Sequence, residues 1–338
     1  MIDFQYARAN DVAEAASLIS RNPNAKFIAG GTNLIDLMKM DVERPTMVID
    51  ITRLPLKQVE RLPDGGLWVG ALVRNTELAY HPLVEQRYPV LASAIMAGAS
   101  QQLRNMASTS GNLLQRTRCH YFYDTATACN KREPGSGCSA IGGQNRMNAI
   151  LGTSDACIAV HPSDMCVALA ILEAKVHVGS ASGDRAIAFA DFHRLPGETP
   201  QRDTNLNAGE IITAVELPSQ GFAKNYTYLK IRDRSSYAFA LVSVAVGLEL
   251  EGDIIREGRF ALGGVAHKPW RDPKAEAMLR GQPANAATFA RAADELLRHA
   301  KGYGRNNFKI ELARRGIARA LTQAARGTPQ SQSSKKVI

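Results

Sequence analysis

All five cysteines of this 338-residue chain, Cys119, Cys129, Cys138, Cys157 and Cys166, fall in one stretch. That confinement restricts the fold. In a reducing compartment disulfides are disfavoured, so gathered thiols point to a metal, to an iron–sulfur centre, or to thiols that are packed away. The gaps between them are nine, eight, eighteen and eight residues, with no C-x-x-C. Neither the zinc-ribbon nor the ferredoxin spacing is matched. Convergence of four thiolates would need a folded loop, and residues 115–160 read as one. Arg116, Arg118, Lys131, Arg132 and Arg146 lie among them and would offset thiolate charge. Cys166 differs: it stands in Asp164-Met165-Cys166-Val167-Ala168-Leu169, an apolar helical context, and reads as a buried free thiol. Spacing alone leaves an iron–sulfur cluster, structural zinc and unliganded thiols open. His120 and His161 border the region and read as spectators.

The length suggests two or three domains. With 45% hydrophobic and 22% charged residues the chain is neither disordered, nor collagen-like, nor a disulfide scaffold. The net charge of +9 is not organised into basic blocks interleaved with aromatics, so no nucleic-acid partner is expected. No membrane span is expected, because the longest apolar run, 237–250, is too short and is broken by Ser243 and Gly247. The opening MIDFQYARAND carries charges where a signal peptide has its apolar core. The chain is therefore expected to have no export signal of its own and to be made and assembled in the cytoplasm.

Along the chain, residues 1–55 read as helix, strand, helix, strand: a helix capped by Asn10 or Asp11, a strand at 26–29, a helix through Leu34, Leu37 and Met38, and a strand at 47–51. A second segment starts near Gly66, with a strand at 67–73 and a long Ala-rich helix over 90–103. Ala107 to Asn112 reads as a small-residue turn. A helix over 164–173 follows, then short strands around Val176, Ala186 and Ile211. Residues 218–224 read as a linker. Beyond it, strands at 226–231, 237–250 and 258–263 precede helices at 274–279, 285–297 and 308–325, an α+β pattern. The polar tail 326–338 reads as disordered.

Two segments could cradle a ligand. Ala29-Gly30-Gly31-Thr32-Asn33 ends a strand, turns and begins a helix, which suits a phosphate or pyrophosphate. It is neither a G-x-G-x-x-G fingerprint nor a Walker loop, and a tight βα turn explains it equally well. Ser108-Thr109-Ser110-Gly111-Asn112 offers hydroxyls and an amide for phosphate or ribose, or is a plain polar turn. Lys230, Arg232 and Arg234 follow a strand and could meet a phosphate. No nucleophile–base set is visible, so no catalytic acid or base is assigned.

Taken together these residues resemble the FAD-binding medium subunits of the molybdenum hydroxylases, over nearly the whole chain. Phe27-Ile28-Ala29-Gly30-Gly31-Thr32-Asn33-Leu34 resembles the family's first flavin diphosphate loop. Ser108 to Asn112 resembles the second, T-x-G-G-N, with Ser110 where a glycine is usual. Ser163-Asp164 resembles the Ser-Asp pair that helps hold the flavin. Residues 210–218, with Ile212, resemble the strand that closes the flavin domain, and Lys230 matches a flavin-contacting lysine. Residues 261–266 with Pro269 resemble the C-terminal domain signature.

In most members the second loop lies close to the Ser-Asp pair. Here about fifty residues intervene, and Cys119, Cys129, Cys138 and Cys157 fall within them. Thr117 to Phe122 resembles the start of the insertion in the 4-hydroxybenzoyl-CoA reductase subunit, and a similar insertion occurs in the periplasmic aromatic-aldehyde oxidoreductases, which the whole sequence resembles most; the resemblance implies an aldehyde oxidoreductase subunit with a 4Fe–4S cluster on those four cysteines.

The resemblance implies a two-lobed α/β FAD-binding domain of the PCMH/vanillyl-alcohol-oxidase type. Its lobes would span about 1–55 and 60–220, the cysteine-bearing insertion 115–160, and an α+β C-terminal domain of the CO-dehydrogenase flavoprotein type 225–325. It further implies a heterotrimer with a large molybdenum-cofactor subunit and a small subunit carrying two 2Fe–2S clusters. FAD here would pass electrons to an external acceptor. Export with a partner bearing a twin-arginine signal is the expected route to the periplasm. Two other readings are an equivalent subunit of a 4-hydroxybenzoyl-CoA-reductase-like enzyme, and a zinc-stabilised assembly protein that has lost FAD. The intact AGGTN and Ser-Asp motifs weigh against the last.

Overall fold

The computed structural model describes residues 1–327. Of the tail expected to be disordered, 328–338 lies outside the described residues.

The first lobe runs β1 (Gln5–Arg8), α1 (Val12–Arg21), β2 (Ala25–Ile28), α2 (Leu34–Lys39) and β3 (Met47–Asp50). Its parallel sheet has the order β1-β3-β2. Asp11, rather than Asn10, caps α1, accepting from the Glu14 N–H at 2.7 Å. Strand β1 was not expected from sequence, because Gln5-Tyr6-Ala7-Arg8 shows no apolar alternation.

The second lobe contains β4 (Val59–Arg61), β5 (Leu67–Gly70), α3 (Asn75–Ala79), α4 (Pro82–Arg87), α5 (Pro89–Ala97), α6 (Gln101–Arg104), α7 (Thr109–Leu113) and α8 (His120–Tyr123). After the insertion come α9 (Asp164–Ile171), β6 (Lys175–Gly179), β7 (Arg185–Ala188), α10 (Phe189–Phe192) and β8 (Ile211–Leu217). Its sheet is antiparallel throughout, in the order β4-β5-β8-β6-β7. Helices α5 and α9 are buried nearly all round, so they form the centre of the molecule rather than a surface.

Two local expectations need correction. The helix read over 90–103 is broken: α5 stops at Gly98, Ala99 takes φ +50°, and the Arg104 guanidinium donates to the Gly98 carbonyl at 2.6 Å. The turn read at 107–112 is the start of α7, where the Ser108 hydroxyl caps the helix by accepting from the Gly111 N–H.

The C-terminal domain is an antiparallel sheet of β9 (Asn225–Ile231), β10 (Val242–Glu251) and β11 (Ile254–Gly263), with β10 central, followed by α11 (Pro273–Ala277), α12 (Ala286–Leu296) and α13 (Phe308–Ala325). Alternate residues of β10 serve two cores. Val242, Val244, Val246 and Leu248 pack with Ala313, Ile317 and Leu321 of α13, while Ala245 joins the core of α5 and α9. Burial on both faces explains the unbroken apolar run. The 218–224 segment is packed rather than slack. Phe222, at φ +56°, is buried in the central core, and the Tyr88 hydroxyl donates to the Pro218 carbonyl at 2.6 Å.

Candidate functional site

The two lobes and the C-terminal domain meet around a cleft of about 670 Å³, within the range of small-molecule and cofactor sites. Of the residues named from sequence, Thr32, Asn33, Gly111, Asn112, Ser163, Asp164 and Lys230 line it. Their positions follow from local structure. Ser163 caps α9, accepting from the Cys166 N–H at 3.1 Å, and its hydroxyl donates to Asn112 Oδ1 at 2.5 Å. The Asp164 carboxylate accepts from the Tyr228 hydroxyl at 2.6 Å and from Lys230 Nζ at 2.7 Å, and Lys230 also donates to the Ala97 carbonyl. This pair is almost wholly buried, at 8% and 4% side-chain exposure, so it survives only because each charge has hydrogen-bonded partners.

Other named residues do not line the cleft; they build what stands behind it. Gly30 lies so close to the second lobe that a Cβ would sit 2.0 Å from the Met106 carbonyl oxygen, and Gly31 takes φ +71°. The missing side chain of Gly30 therefore serves contact between lobes, where the sequence suggested ligand approach. Phe27 and Ala29 pack on the core of the first lobe, and Ile28 and Leu34 flank the turn. Ser108 caps α7, Thr109 donates through its hydroxyl and N–H to the Val73 carbonyl, and the Ser110 N–H donates to Ala71, hanging the second loop on the strand β5 exit. Ile212 does not reach the cleft; it is 3% exposed, in the core beneath β8.

Asn75, Arg104 and the loop 237–240 line the cleft with no signal in the sequence, and Arg118 and His120, read there only against the cysteine region, line it too. Asn33 Nδ2, Asn75 Oδ1, Arg104 Nε and Arg118 Nε are buried atoms without a partner in the structure. Buried polar atoms are normally satisfied. Three donors and an amide oxygen left open on one cleft fit a bound polar molecule bearing phosphate and hydroxyl groups, as a flavin dinucleotide does. Arg234 also borders the cleft, while Arg232 donates to the Ala97 and Ser235 carbonyls.

Cys119, Cys129, Cys138 and Cys157 line one small cavity, and all are free thiols. Residues Cys129 and Cys138 pair across an antiparallel bridge, which Asn130 supports by accepting from the Gly135 and Gly137 N–H groups. Asn148 Nδ2 donates to Cys119 Sγ at 3.5 Å, and His267 Nε2 lies 3.3 Å from Cys157 Sγ. Burial raises the Cys119 thiol. A hydrogen bond between Cys138 and Cys157 pulls Cys138 down to about 6 and holds the proton on Cys157. Four thiols on one cavity, with amide and imidazole groups touching the sulfurs, fit a thiolate-ligated metal centre.

Of the five basic residues expected to offset thiolate charge, only Lys131 lines this cavity. The others act as fasteners. Arg116 bridges Glu43 at 2.5 Å and Asp203 at 2.8 Å, Arg118 binds Asp36, Arg132 ties down the carbonyls of Tyr121, Phe122 and Thr127, and Arg146 pairs with Asp233. Lys131 itself is 2% exposed and bonds to Asp203 and the Pro200 carbonyl. Cys166 is fully buried in α9, outside the cavity. His161 does not line it either, and His120 faces the cleft.

Residues 2–220 match the FAD-binding domain in molybdopterin dehydrogenase, and residues 226–324 match the CO dehydrogenase flavoprotein C-terminal domain. The chain belongs to the family of FAD-binding medium subunits of the molybdenum hydroxylases, and so is an oxidoreductase subunit. It is 53% identical over 322 residues to the aldehyde oxidoreductase FAD-binding subunit PaoB of Escherichia coli (strain K12), covering 95% of this chain and 98% of that one. It is 29% identical over 283 residues to the glyceraldehyde dehydrogenase medium chain of Sulfolobus acidocaldarius, covering 84% and 83%. In fold it is similar to a carbon monoxide dehydrogenase chain from Hydrogenophaga pseudoflava, with TM-score 0.74 and 24% identity over 97% of this chain and 100% of that one. Among the described residues no helix is long and apolar enough to cross a membrane.

Proposed function

We propose that this chain is the electron-exit subunit of a heterotrimeric, molybdenum-dependent aldehyde oxidoreductase. FAD occupies the cleft, and a 4Fe–4S cluster is held by Cys119, Cys129, Cys138 and Cys157. The observation that carries this reading is a shared wall: Thr117, Cys119 and Asn148 line both the cleft and the cysteine cavity. A centre ligated by Cys119 would stand one residue away from whatever fills the cleft, which favours a redox role over that of a clip for the loop. The 53% identity to an aldehyde oxidoreductase subunit supports the substrate class.

When bound, the flavin and the cluster supply the one- and two-electron chemistry. The chain's own residues bind and tune. Asn33, Asn75, Arg104 and Arg118 offer their open polar atoms to the dinucleotide. The Asp164–Lys230–Tyr228 cluster fixes the floor of the cleft in one arrangement. Around the sulfurs, Asn148 and His267 stabilise negative charge by hydrogen bonding, and the buried Lys131 ammonium does so through space. No proton-transfer residue is assigned, because substrate oxidation belongs to the large molybdenum subunit. The small subunit, with two 2Fe–2S clusters, delivers the electrons, and an external acceptor takes them. Assembly in the cytoplasm and export with a partner bearing a twin-arginine signal complete the reading.

The test is metal, sulfide and flavin analysis of the anaerobically purified complex, with this subunit then resolved. About four iron, four sulfide and one FAD per chain are expected. Zinc or no metal beside FAD would reduce the insertion to a structural loop. An absence of flavin would overturn the proposal. A substrate screen on the complex separates aldehydes from the aromatic acyl-CoA thioesters of the 4-hydroxybenzoyl-CoA-reductase alternative.

A further inference from the structure

His161, Cys166 and His193 come from two segments: the approach to α9 with its first turn, and the exit of α10. All three are buried, and one ligand atom from each lies within 4.8 Å of the others. None lines the cysteine cavity or the cleft. His193 Nε2 lies 2.9 Å from the Leu113 carbonyl, which can only accept, so the Nε2 carries the proton and Nδ1 keeps its lone pair. His193 Nδ1 and His161 Nε2 are both buried with no partner. The two imidazole rings are tilted at 48° with centroids 4.2 Å apart, and Phe189 and Phe192 meet His193 edge-on, keeping the site apolar.

We propose that His161, Cys166 and His193 form a second metal site, selective for a soft monovalent d10 cation, Cu(I), bound by two imidazole nitrogens and one thiolate. The inference does not rest on the flavin or the iron–sulfur reading.

Three observations favour this ion. Thiolate and imidazole are soft and borderline donors. Bonds of about 2.0–2.3 Å in a trigonal plane place donors roughly 3.5–4 Å apart, so these groups need move little. Charge then decides between ions. The nearby carboxylates are already engaged, Asp164 by Lys230 and Tyr228, and Asp203 by Lys131 and Arg116. One thiolate with Cu(I) is neutral, whereas Zn(II) would leave a net positive charge in an apolar pocket without a fourth ligand from this set. Burial keeps both rings uncharged, the form that ligates: His193 falls to about 4, and His161 well below its ordinary value. On binding, the Cys166 S–H loses its proton to solvent and the metal keeps its oxidation state.

The full chain, purified anaerobically with its native partners, is incubated with Cu(I) as its bicinchoninate complex, desalted, and analysed for copper, iron and flavin. One copper per chain is expected in the parent, with iron and flavin unchanged. Cys166→Ser should lose that copper, and His193→Gln should weaken retention at least tenfold. Both variants should keep parental flavin and iron, which reports an intact fold. Equal copper in the parent and Cys166→Ser would overturn the proposal. So would copper uptake matched by iron loss, or one tightly held zinc in place of copper.

Discussion

The Ser163 hydroxyl donates to Asn112 Oδ1 at 2.5 Å, although 51 residues separate the two in sequence. The insertion that carries four cysteines is thus an excursion whose ends are fastened together. The bond holds the second loop and the Ser-Asp pair side by side on the cleft.

Ser163→Ala removes both this link and the cap of α9. Loss of a cap costs about 0.5–2 kcal/mol, and flavin content should fall with it. Asn285→Ala is the control, because Asn285 caps α12 far from the cleft by accepting from the Thr288 N–H. Thermal unfolding should show similar losses in the two variants, while flavin absorbance should fall only in the first. Equal flavin retention would separate Ser163 from the site.

At Gly31, φ is +71°, and a Cβ would lie 2.7 Å from Ile35 Cδ1. A left-handed conformation costs a non-glycine residue roughly 1–2 kcal/mol, more for a β-branched one. Gly31→Val should distort the turn that presents Thr32 and Asn33 to the cleft and lower FAD occupancy. Full occupancy in this variant would remove the turn from the binding site.

Substituting serine singly at Cys119, Cys129, Cys138 or Cys157 should lower bound iron and the cluster's visible absorbance, while Cys166→Ser should leave both unchanged. Because Cys119 also lines the cleft, its variant should disturb flavin content more than the Cys138 variant does. Normal iron in any of the first four variants would break the ligand assignment.

Asp203 takes charges from two lysine and arginine partners. Burial pushes its carboxyl up, but Lys131 and Arg116 outweigh this and hold it at about 2, below the ordinary 3.8. A depressed acid stabilises the fold fully above its unfolded value, and that contribution disappears as pH falls through the folded value. Asp203→Asn leaves Lys131 buried without its carboxylate. The expected loss at pH 7 is about 2–3 kcal/mol, at or just below the low end for a broken buried pair because Asp203 is 32% exposed. Urea unfolding should show a constant gap between parent and variant from pH 7 to 5, narrowing from about 4 towards 2. A gap that widens on acidification would contradict the pairing.

The sequence made long periodic elements legible, as at α13, where Phe308 to Ala325 was read to the residue. Short elements with mixed composition, such as β1, were not, because a four-residue parallel strand takes its stability from its neighbour β3. The helix break at Gly98 was hidden by good helix formers on both sides, and what fixes it is Arg104 reaching back to the Gly98 carbonyl. In the candidate site, glycines and hydroxyls marked the right loops and some lining residues, Thr32, Gly111 and Ser163 among them, but not all the side chains that complete the cleft. Asn75, Arg104 and Arg118 are brought there by tertiary packing alone. The basic residues of the insertion were visible, but their use as fasteners depended on Glu43, Asp36 and Asp203, which lie far away in sequence.

Lys309, fully buried in the last helix, donates to the carbonyls of Met147, Asn148 and Gly264. Two of those acceptors belong to the insertion, and Asn148 is the residue that bonds Cys119. A ribosome makes the cysteines long before it makes Lys309. Until then the loop lacks this clamp, and it gains it only when the last described helix folds against it.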